Sequence, residues 1–414
     1  MIHPKMKYTY AGVDSHKDSH TAVFLDCFYE KLGEITFNNI PSEFDNALKS
    51  MQKFKIKNTV FAFGLEDVTA YGRSLAAFLK SKNVLVKHAN AALVASERKS
   101  RNILQKTDSV DAECAARVLL NRFDELPEVD PQDKHWILTN LVTRRKSLIK
   151  IDTMLKNYLH SLIPDNYPSY NKFFSNIDCK TSLLFFEKYP SPSTLKTVTT
   201  KELSEMLKNA SHNAIPLKKT FQILEHVKKD GDTTSKYQAD KDFIIQSTIR
   251  QIRANMQEIE AMDVRICSFL DNFDYKLTTM KGIDIITAAY LISEIGDIEK
   301  FPTPAKLARY AGVAPVTYAS GKSDVQYSNQ RGNRTLNSIF FNLALFMIVT
   351  IGPRKRVINP FFYEYYNRKI AEGKTKRQAL KCIERRLVNI IWGMMKYKTE
   401  YVNPPAYDSI EKAE

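Results

Sequence analysis

Cysteine is scarce and scattered. The five cysteines in 414 residues (Cys27, Cys114, Cys179, Cys267 and Cys382) form neither a CxxC pair nor a Cys/His cluster. By pattern this excludes a zinc site and a disulfide framework, and it fits a reducing, cytosolic setting. Long apolar runs are missing too. The most apolar stretch, residues 339–351, falls short of the ~20 residues a membrane span needs and reads as a buried helix. No signal-peptide pattern opens the chain, so a cytoplasmic protein with no membrane partner is expected. Acidic residues are in deficit: 46 Asp and Glu stand against 61 Lys and Arg, a formal net charge of +15. That excess points to a polyanionic partner, most simply nucleic acid. Apolar residues are not in short supply, and at 43% hydrophobic the chain can build the cores of two or three domains.

One stretch organises the front of the chain: residues 8–20, YTYAGVDSHKDSH. Tyr8, Tyr10, Ala11 and Val13 read as a buried strand, Gly12 admits a close backbone neighbour, and Asp14 is carried to the open end. Strands at 21–28 and 32–38 follow. A helix then starts at Pro41 and Ser42, with Phe44, Leu48 and Met51 on one face. A fourth strand, 58–65, ends at Glu66. A helix carries Tyr71, Leu75, Phe78 and Leu79, and a fifth strand covers 84–87. Three consecutive strands followed by alternating helix and strand is the order of a ribonuclease-H-like α/β domain. Residues 91–121 are helical, and KTDSVDAECAARVLL places Asp108 and Asp111 three apart, on one helix face.

Pro127 and Pro131 mark a boundary. Residues 136–163 carry a heptad of Leu141, Leu148, Leu155 and Leu162, with Ile137, Ile151 and Tyr158 offset. Residues 245–273 carry another, of Ile245, Ile252, Ile259, Ile266 and Phe273, with Ile249, Met256 and Leu270 offset. Two readings fit: an antiparallel hairpin or dimerisation coiled coil, and a pair of ordinary amphipathic helices. Residues 164–235, rich in Pro, Ser and Lys with short helical patches, carry no assignable function. From Met280, KGIDIITAAYLISEIGDIEKFPTPAKLARYAGVAP reads as helix, Gly turn, helix, packing through Ile285, Ala288, Ala289 and Ile292. Such a helix–hairpin–helix unit offers backbone N–H groups to phosphates. The polar stretch VTYASGKSDVQYSNQRGNRTLN follows, then a helical region to about Tyr397. The expected fold is α/β plus all-α, in domains 1–126, 127–279 and 280–414.

Asp14, Glu66, Asp108 and Asp111 meet in a fold of this kind. Singly, each is an ordinary surface acid. As a set, their hard oxygens on rigid elements suit two Mg²⁺ ions for phosphoryl transfer. His16 and His20 read as solvated turn residues without a third metal ligand nearby, Lys17 as a point charge for a phosphate, and Asp18 as a spare acid. Ser320, in Tyr318-Ala319-Ser320-Gly321-Lys322-Ser323, has small neighbours that leave its hydroxyl open. Once activated, it can attack a phosphodiester and keep the bond energy in a phosphoserine link. On residues alone a polar loop serine is the better reading, and Ser323 competes for the role. Basic residues recur at Arg98, Lys99, Arg101 and Lys106, at Arg144 and Arg145, at Lys322, Arg331 and Arg334, and in 353–356 and 374–377. Together they suit phosphate binding with steep salt dependence, and none forms a base-reading helix.

These blocks resemble the DEDD-type insertion-sequence transposases, which pair a RuvC-like N-terminal domain with a C-terminal transposase domain carrying a serine. The resemblance lies in GVDSHKDSH from Gly12 to His20, the Glu66 strand end, KTDSVDAECAARVL, GIDIITAAYLISEIGD, FPTPAKLARYAGVAP, the Ser-Gly at 320–321 and NQRGNRTLN. It implies that Asp14, Glu66, Asp108 and Asp111 hold Mg²⁺ and that Ser320 bonds transiently to DNA. It implies a recombinase that mobilises its own insertion sequence, guided by a structured RNA and acting on element ends and target DNA. Dimers would pair into tetramers at the nucleoid of a prokaryotic cell, each active site joining one chain's RuvC-like domain to a partner's serine domain. GKSD replaces the glycines common in the family after the serine, which keeps Ser323 in play. The alternative is a RuvC-like, Mg²⁺-dependent endonuclease or junction resolvase in which water attacks and Ser320 is structural. The complete carboxylate set opposes a third reading, a non-catalytic nucleic-acid binder.

Overall fold

The structure is a computed structural model. It describes residues 3–402 other than 69, 130, 132, 321–322, 328, 330–331 and 352–355, with the backbone alone at 133, 317–320, 323–327, 351 and 356. The chain forms two compact units, Met1–Trp136 and Ile137–Glu414.

The first unit is built on a five-stranded sheet of order β3-β2-β1-β4-β5. Central β1 (Tyr8–Ser15) pairs antiparallel with β2 (Ser19–Leu25) and parallel with β4 (Val60–Leu65). Outside them lie β3 (Lys31–Asn38), antiparallel to β2, and β5 (Leu85–His88), parallel to β4. Parallel pairing needs crossovers, and α1 (Phe44–Met51) and α2 (Arg73–Ser81) lie in them. Two further helices, α3 (Ala91–Ser100) and α4 (Asp108–Asn121), follow β5. A central strand covered on both faces must be apolar on both. Accordingly Ala11 and Val13 join a core with Phe24, Phe63, Leu75 and Val86, while Tyr10 joins Val23, Ala112, Ala115 and Leu119 on the other side. This mixed sheet is consistent with a RuvC-like fold. The second strand begins at Ser19 rather than at 21 because the preceding turn is tight: His16 N donates to Ser19 O at 3.0 Å.

Two long helices frame the second unit: α5 (Asp133–Leu162), which enters from the first unit, and α10 (Gln238–Leu270). They run antiparallel, since Asn255 Nδ2 donates to Leu148 O at 3.0 Å while Arg145 Nη2 meets Asp263 Oδ2 at 3.1 Å. Ile245, Ile249, Ile252 and Ile266 are buried as the heptad requires, as are Leu148 and Leu155. The offset positions Ile151 and Tyr158 are exposed, however, and Leu138, Val142 and Leu159 are buried instead. The stripe is drawn round α5 because residues 155–163 pack on the segment between the long helices. That segment forms α6 (Lys180–Lys188), α7 (Pro192–Leu195), α8 (Thr200–Ala210) and α9 (Leu217–Asp230). Its core gathers Tyr167, Phe173, Phe185, Phe186 and Tyr189 with Leu203, Leu207 and Ile223.

A separate core holds the C-terminal elements. In it α11 (Ile285–Ile295) closes at Gly296, whose φ of +68° an L side chain rarely adopts, and α12 (Pro304–Tyr310) follows. Ala288, Ala289 and Ile292 are buried as the packing face, whereas Ile285 in the first turn is exposed. The polar stretch after Pro315 is not a loop: β6 (Val316–Ser320) and β7 (Ser323–Tyr327) pair as a hairpin. The helical region to Tyr397 is likewise interrupted. Between α13 (Arg334–Ile348) and the pair α14 (Pro360–Ala371) and α15 (Lys376–Tyr397), the short strands β8 (Thr350–Ile351) and β9 (Arg356–Val357) pair antiparallel. Among the described residues no helix is long and apolar enough to cross a membrane.

Candidate active site

In the parallel pair β1–β4, Val13 lies opposite Leu65, and Glu66 N donates to Val13 O at 3.3 Å. One residue further along this register, Asp14 and Glu66 leave adjacent strands side by side. Helix α4 packs on β1. Its N-cap is Thr107, whose Oγ1 accepts from Val110 N at 3.3 Å. Asp108 and Asp111 therefore occupy the first turn, where the helix dipole favours negative charge. Asp14 and Asp111 are only 8% and 5% exposed, and Asp108 is open to solvent.

His16 belongs to this cluster and is not a free turn residue. Its Nε2 lies 3.1 Å from Asp14 Oδ2 and 3.3 Å from Asp108 Oδ1. One donor atom from each of Asp14, His16 and Asp108 falls within 4.8 Å of the other two. The sequence did not show this, because His16 lies just beyond the end of β1, in the turn that leads to β2. Arg98 was legible only as a basic residue, yet its guanidinium pairs with the buried Asp111 carboxylate.

The electrostatics describe negative charge packed closely. Burial pushes the Asp14 carboxyl above its ordinary pKa; His16 pulls it back, and Asp108 and Asp111 add to the rise. Burial also raises Glu66, reinforced by Asp14 and Asp111 and opposed by Lys106 and Arg98. For His16 burial works downward, but the Asp14 and Asp108 carboxylates outweigh it and the imidazole is raised overall. Closely packed carboxylates, of which Asp14 and Glu66 are raised by burial and by their acidic neighbours, form with one imidazole at the rim a donor set that fits a hard divalent cation.

The other expected site residues are dispersed. Arg101 Nη1 lies 2.9 Å from Glu113 Oε1, and Arg145 pairs with Asp263, so these two, like Arg98, are held in internal ion pairs. Lys17, Lys99, Lys106, Arg144 and Arg334 are exposed. Lys322 and Arg331 lie outside the described residues. Ser320 ends β6 directly opposite Ser323, the first residue of β7, and the side chains of both lie outside the described set.

His20 corrects the other histidine expectation. It lies in β2, fully buried, with ring centroids 5.4 Å from Phe37 and 6.1 Å from Phe44. Burial holds its pKa below the ordinary value. The fold thus favours neutral His20, and the unfolded chain takes the proton first as pH falls. Stability attributable to His20 is complete above about pH 6.5 and declines below it. Urea unfolding between pH 7.5 and 5.5 should show this loss, and His20→Gln should flatten it.

Comparison with known proteins gives first a class and then a family. A DEDD transposase family model of the IS110 type matches residues 11–168, and the Transposase IS116/IS110/IS902 family model matches residues 274–359. The chain is a DNA-processing enzyme of the transposase and recombinase class. With both matches in one chain, it belongs to the IS110/IS116 transposases. It is 28% identical over 307 residues to the insertion element IS110 uncharacterized 43.6 kDa protein of Streptomyces coelicolor, covering 72% of each chain. To the insertion element IS116 uncharacterized 44.8 kDa protein of Streptomyces clavuligerus it is 26% identical, over 72% of this chain and 73% of that one. To the pilin gene-inverting protein of Moraxella lacunata it is 28% identical, over 47% of this chain and 62% of the relative.

Proposed function

We propose that this transposase cuts and rejoins DNA through Ser320, with Asp14, Glu66, Asp108 and Asp111 holding two Mg²⁺ ions. The observation that carries the metal assignment is the approach of Asp14, Asp108 and His16 donor atoms to within 4.8 Å, where burial and the neighbouring acids raise the Asp14 carboxyl. When bound, Mg²⁺ supplies charge neutralisation for the scissile phosphate and acidity for the attacking hydroxyl. The chain's own residues do the rest. Asp14 and Asp111 are fixed by burial, Asp108 at the exposed rim meets the substrate, and Arg98 holds Asp111 in place. The exposed Lys17 and Lys106 sit where a DNA phosphate approaches. The Ser320 oxygen forms a bond to phosphorus as the strand's own P–O bond breaks, and the displaced sugar hydroxyl leaves with the serine proton. One phosphodiester is exchanged for another, so the reverse step rejoins a strand without outside energy.

The pilin gene-inverting relatives favour this reading over a water-using nuclease or junction resolvase, since inversion requires that cut ends be resealed. We assign guide-RNA binding, pairing of dimers into tetramers, and a serine supplied from a partner chain on the family resemblance, and the net charge of +15 supports binding of RNA as well as DNA. We also propose the three-part division at 1–126, 127–279 and 280–414, although the C-terminal core also takes in Leu138, Val142 and Ile266 from the ends of the two long helices.

The test is a covalent-adduct assay with Mg²⁺, element-end DNA and the adjoining non-coding RNA. The expected adduct disappears in Ser320→Ala and persists in Ser323→Ala. The opposite pattern would move the nucleophile to Ser323, and cleavage without adduct, indifferent to both changes, would mean that water attacks.

A further inference from the structure

The two family models leave residues 169–273 uncovered, and the start of this segment forms, together with residues 152–160 of α5, a polar cavity of about 370 Å³. It opens between α5 and the start of α6. Its lining includes Asp152, Lys156, His160, Tyr170, Phe174 and Ser182. Lys156 Nζ bridges Asp152 Oδ2 and Asp178 Oδ2, each at 2.7 Å. Two buried polar atoms in this wall have no partner: Asp152 Oδ1, in a residue 8% exposed, and Ser182 Oγ, in a residue fully buried. A buried carboxylate oxygen left without a donor is costly, and so is an unsatisfied hydroxyl. The aromatic side of the cavity is ordered by its neighbours. His160 Nδ1 lies 3.0 Å from Tyr170 Oη, and Phe174 stands edge-on to Phe185 and Phe186 at 5.5 and 6.2 Å.

We propose that this cavity binds a single unstacked nucleobase, with an exocyclic amino group donating to Asp152 Oδ1, the adjoining ring nitrogen meeting Ser182 Oγ, and the ring lying against Tyr170 and Phe174. The cavity size is that of a small-ligand site. An aromatic wall beside a few fixed polar atoms is how proteins hold bases extruded from single strands. The carboxylate demands a donor, which selects guanine, adenine and cytosine amino groups over a carbonyl at that position. Lys156 stays engaged with one oxygen each of Asp152 and Asp178, which leaves Asp152 Oδ1 without a partner in the cavity wall. The inference rests on the chain's handling of nucleic acid and is independent of the metal and serine chemistry. The base can come from a free nucleotide or from a strand, and the two sources are separable.

The experiment is calorimetric titration of the full chain with GMP, AMP, CMP and UMP, and with a single-stranded RNA heptamer, beside Ser182→Ala and Asp152→Asn. Saturable binding is expected, with an amino-bearing base bound about tenfold tighter than UMP and each substitution weakening it about tenfold, the scale of one charge-assisted hydrogen bond. Thermal unfolding of both variants checks that they fold. A 6-thioguanosine-labelled strand should crosslink to Tyr170 or Phe174 on irradiation. Binding of mononucleotides that the heptamer fails to displace identifies a free-nucleotide site. Binding of the heptamer, weakened in both variants, identifies a strand site. Absence of saturable binding by all five ligands, or binding that both folded variants retain in full, overturns the proposal.

Discussion

Replacing Asp14 with Asn should lower DNA cleavage roughly 10³-fold while leaving the fold as stable as before or slightly more so. The two halves of this result come from one fact. Asp14 lies in a buried strand among other acids, and burial first, then Asp108 and Asp111, raises its pKa. A carboxyl with a raised folded pKa contributes stability only below its ordinary pKa and loses it as pH rises through the raised value. At pH 7 its charge is therefore a cost to the fold, which Asn removes while keeping the shape and an oxygen for His16. A merely structural Asp would behave in the opposite way, with stability falling and activity following it. Titration with MgCl₂ separates the cases further. A cation that binds the folded chain raises the melting temperature by mass action, and Asp14→Asn should abolish most of that rise. Full activity in the variant, or an unchanged Mg²⁺-dependent shift, would remove Asp14 from the site.

The N-terminal unit was legible because each of its signals is local. Continuous apolar runs mark β1, β2 and β4, and the Asp and Glu at the ends of β1 and β4 follow from strand order alone. The three-residue spacing of Asp108 and Asp111 behind a Thr cap needs no tertiary information either. What stayed hidden depended on turn length and partners. A turn confined to residues 16–18 turns His16 toward Asp14 and seats His20 inside β2, and no composition rule fixes that length. Arg98 looked like any basic residue because its partner Asp111 is thirteen positions away, on another helix. In the middle of the chain the heptad over-reached. A leucine repeat identifies a helix with an apolar stripe, but the aromatic core of residues 167–189 decides which side of α5 is covered, so Ile151 and Tyr158 ended outside. The segment around Ser320 read as a loop although Val316, Tyr318, Val325 and Tyr327 alternate with other residues, because each run is only five residues long and sits in a polar stretch rich in small residues.

Gly12→Ala should damage the first unit severely. A Cβ at Gly12 would stand 2.1 Å from Ala112 O and 2.1 Å from Ala116 N, with Ala115 C at 2.8 Å. All three are backbone atoms of α4, so no side chain can rotate away and the helix itself must lift from β1. Overpacking that shifts backbone costs about 3 kcal/mol or more, against a typical point substitution near 1 kcal/mol. Gly64 on β4 supplies the control. There the added carbon meets Leu119 Cβ at 3.1 Å and Ala115 O at 3.4 Å, contacts that ease with a shift of a few tenths of an ångström, so Gly64→Ala should be much milder. The consequence reaches the acids because α4 carries Asp108 and Asp111 while β1 carries Asp14. Ala112, Ala115 and Ala116 recur three and four apart on one face of α4, and with Gly12 they set how close helix and strand come. A lifted α4 withdraws two carboxylates from the third. Gly12→Ala should therefore lose both protease resistance across residues 8–120 and the Mg²⁺-dependent rise in melting temperature, whereas Gly64→Ala keeps both. If Gly12→Ala keeps them as well, the close packing of β1 against α4 is not what brings the acids together.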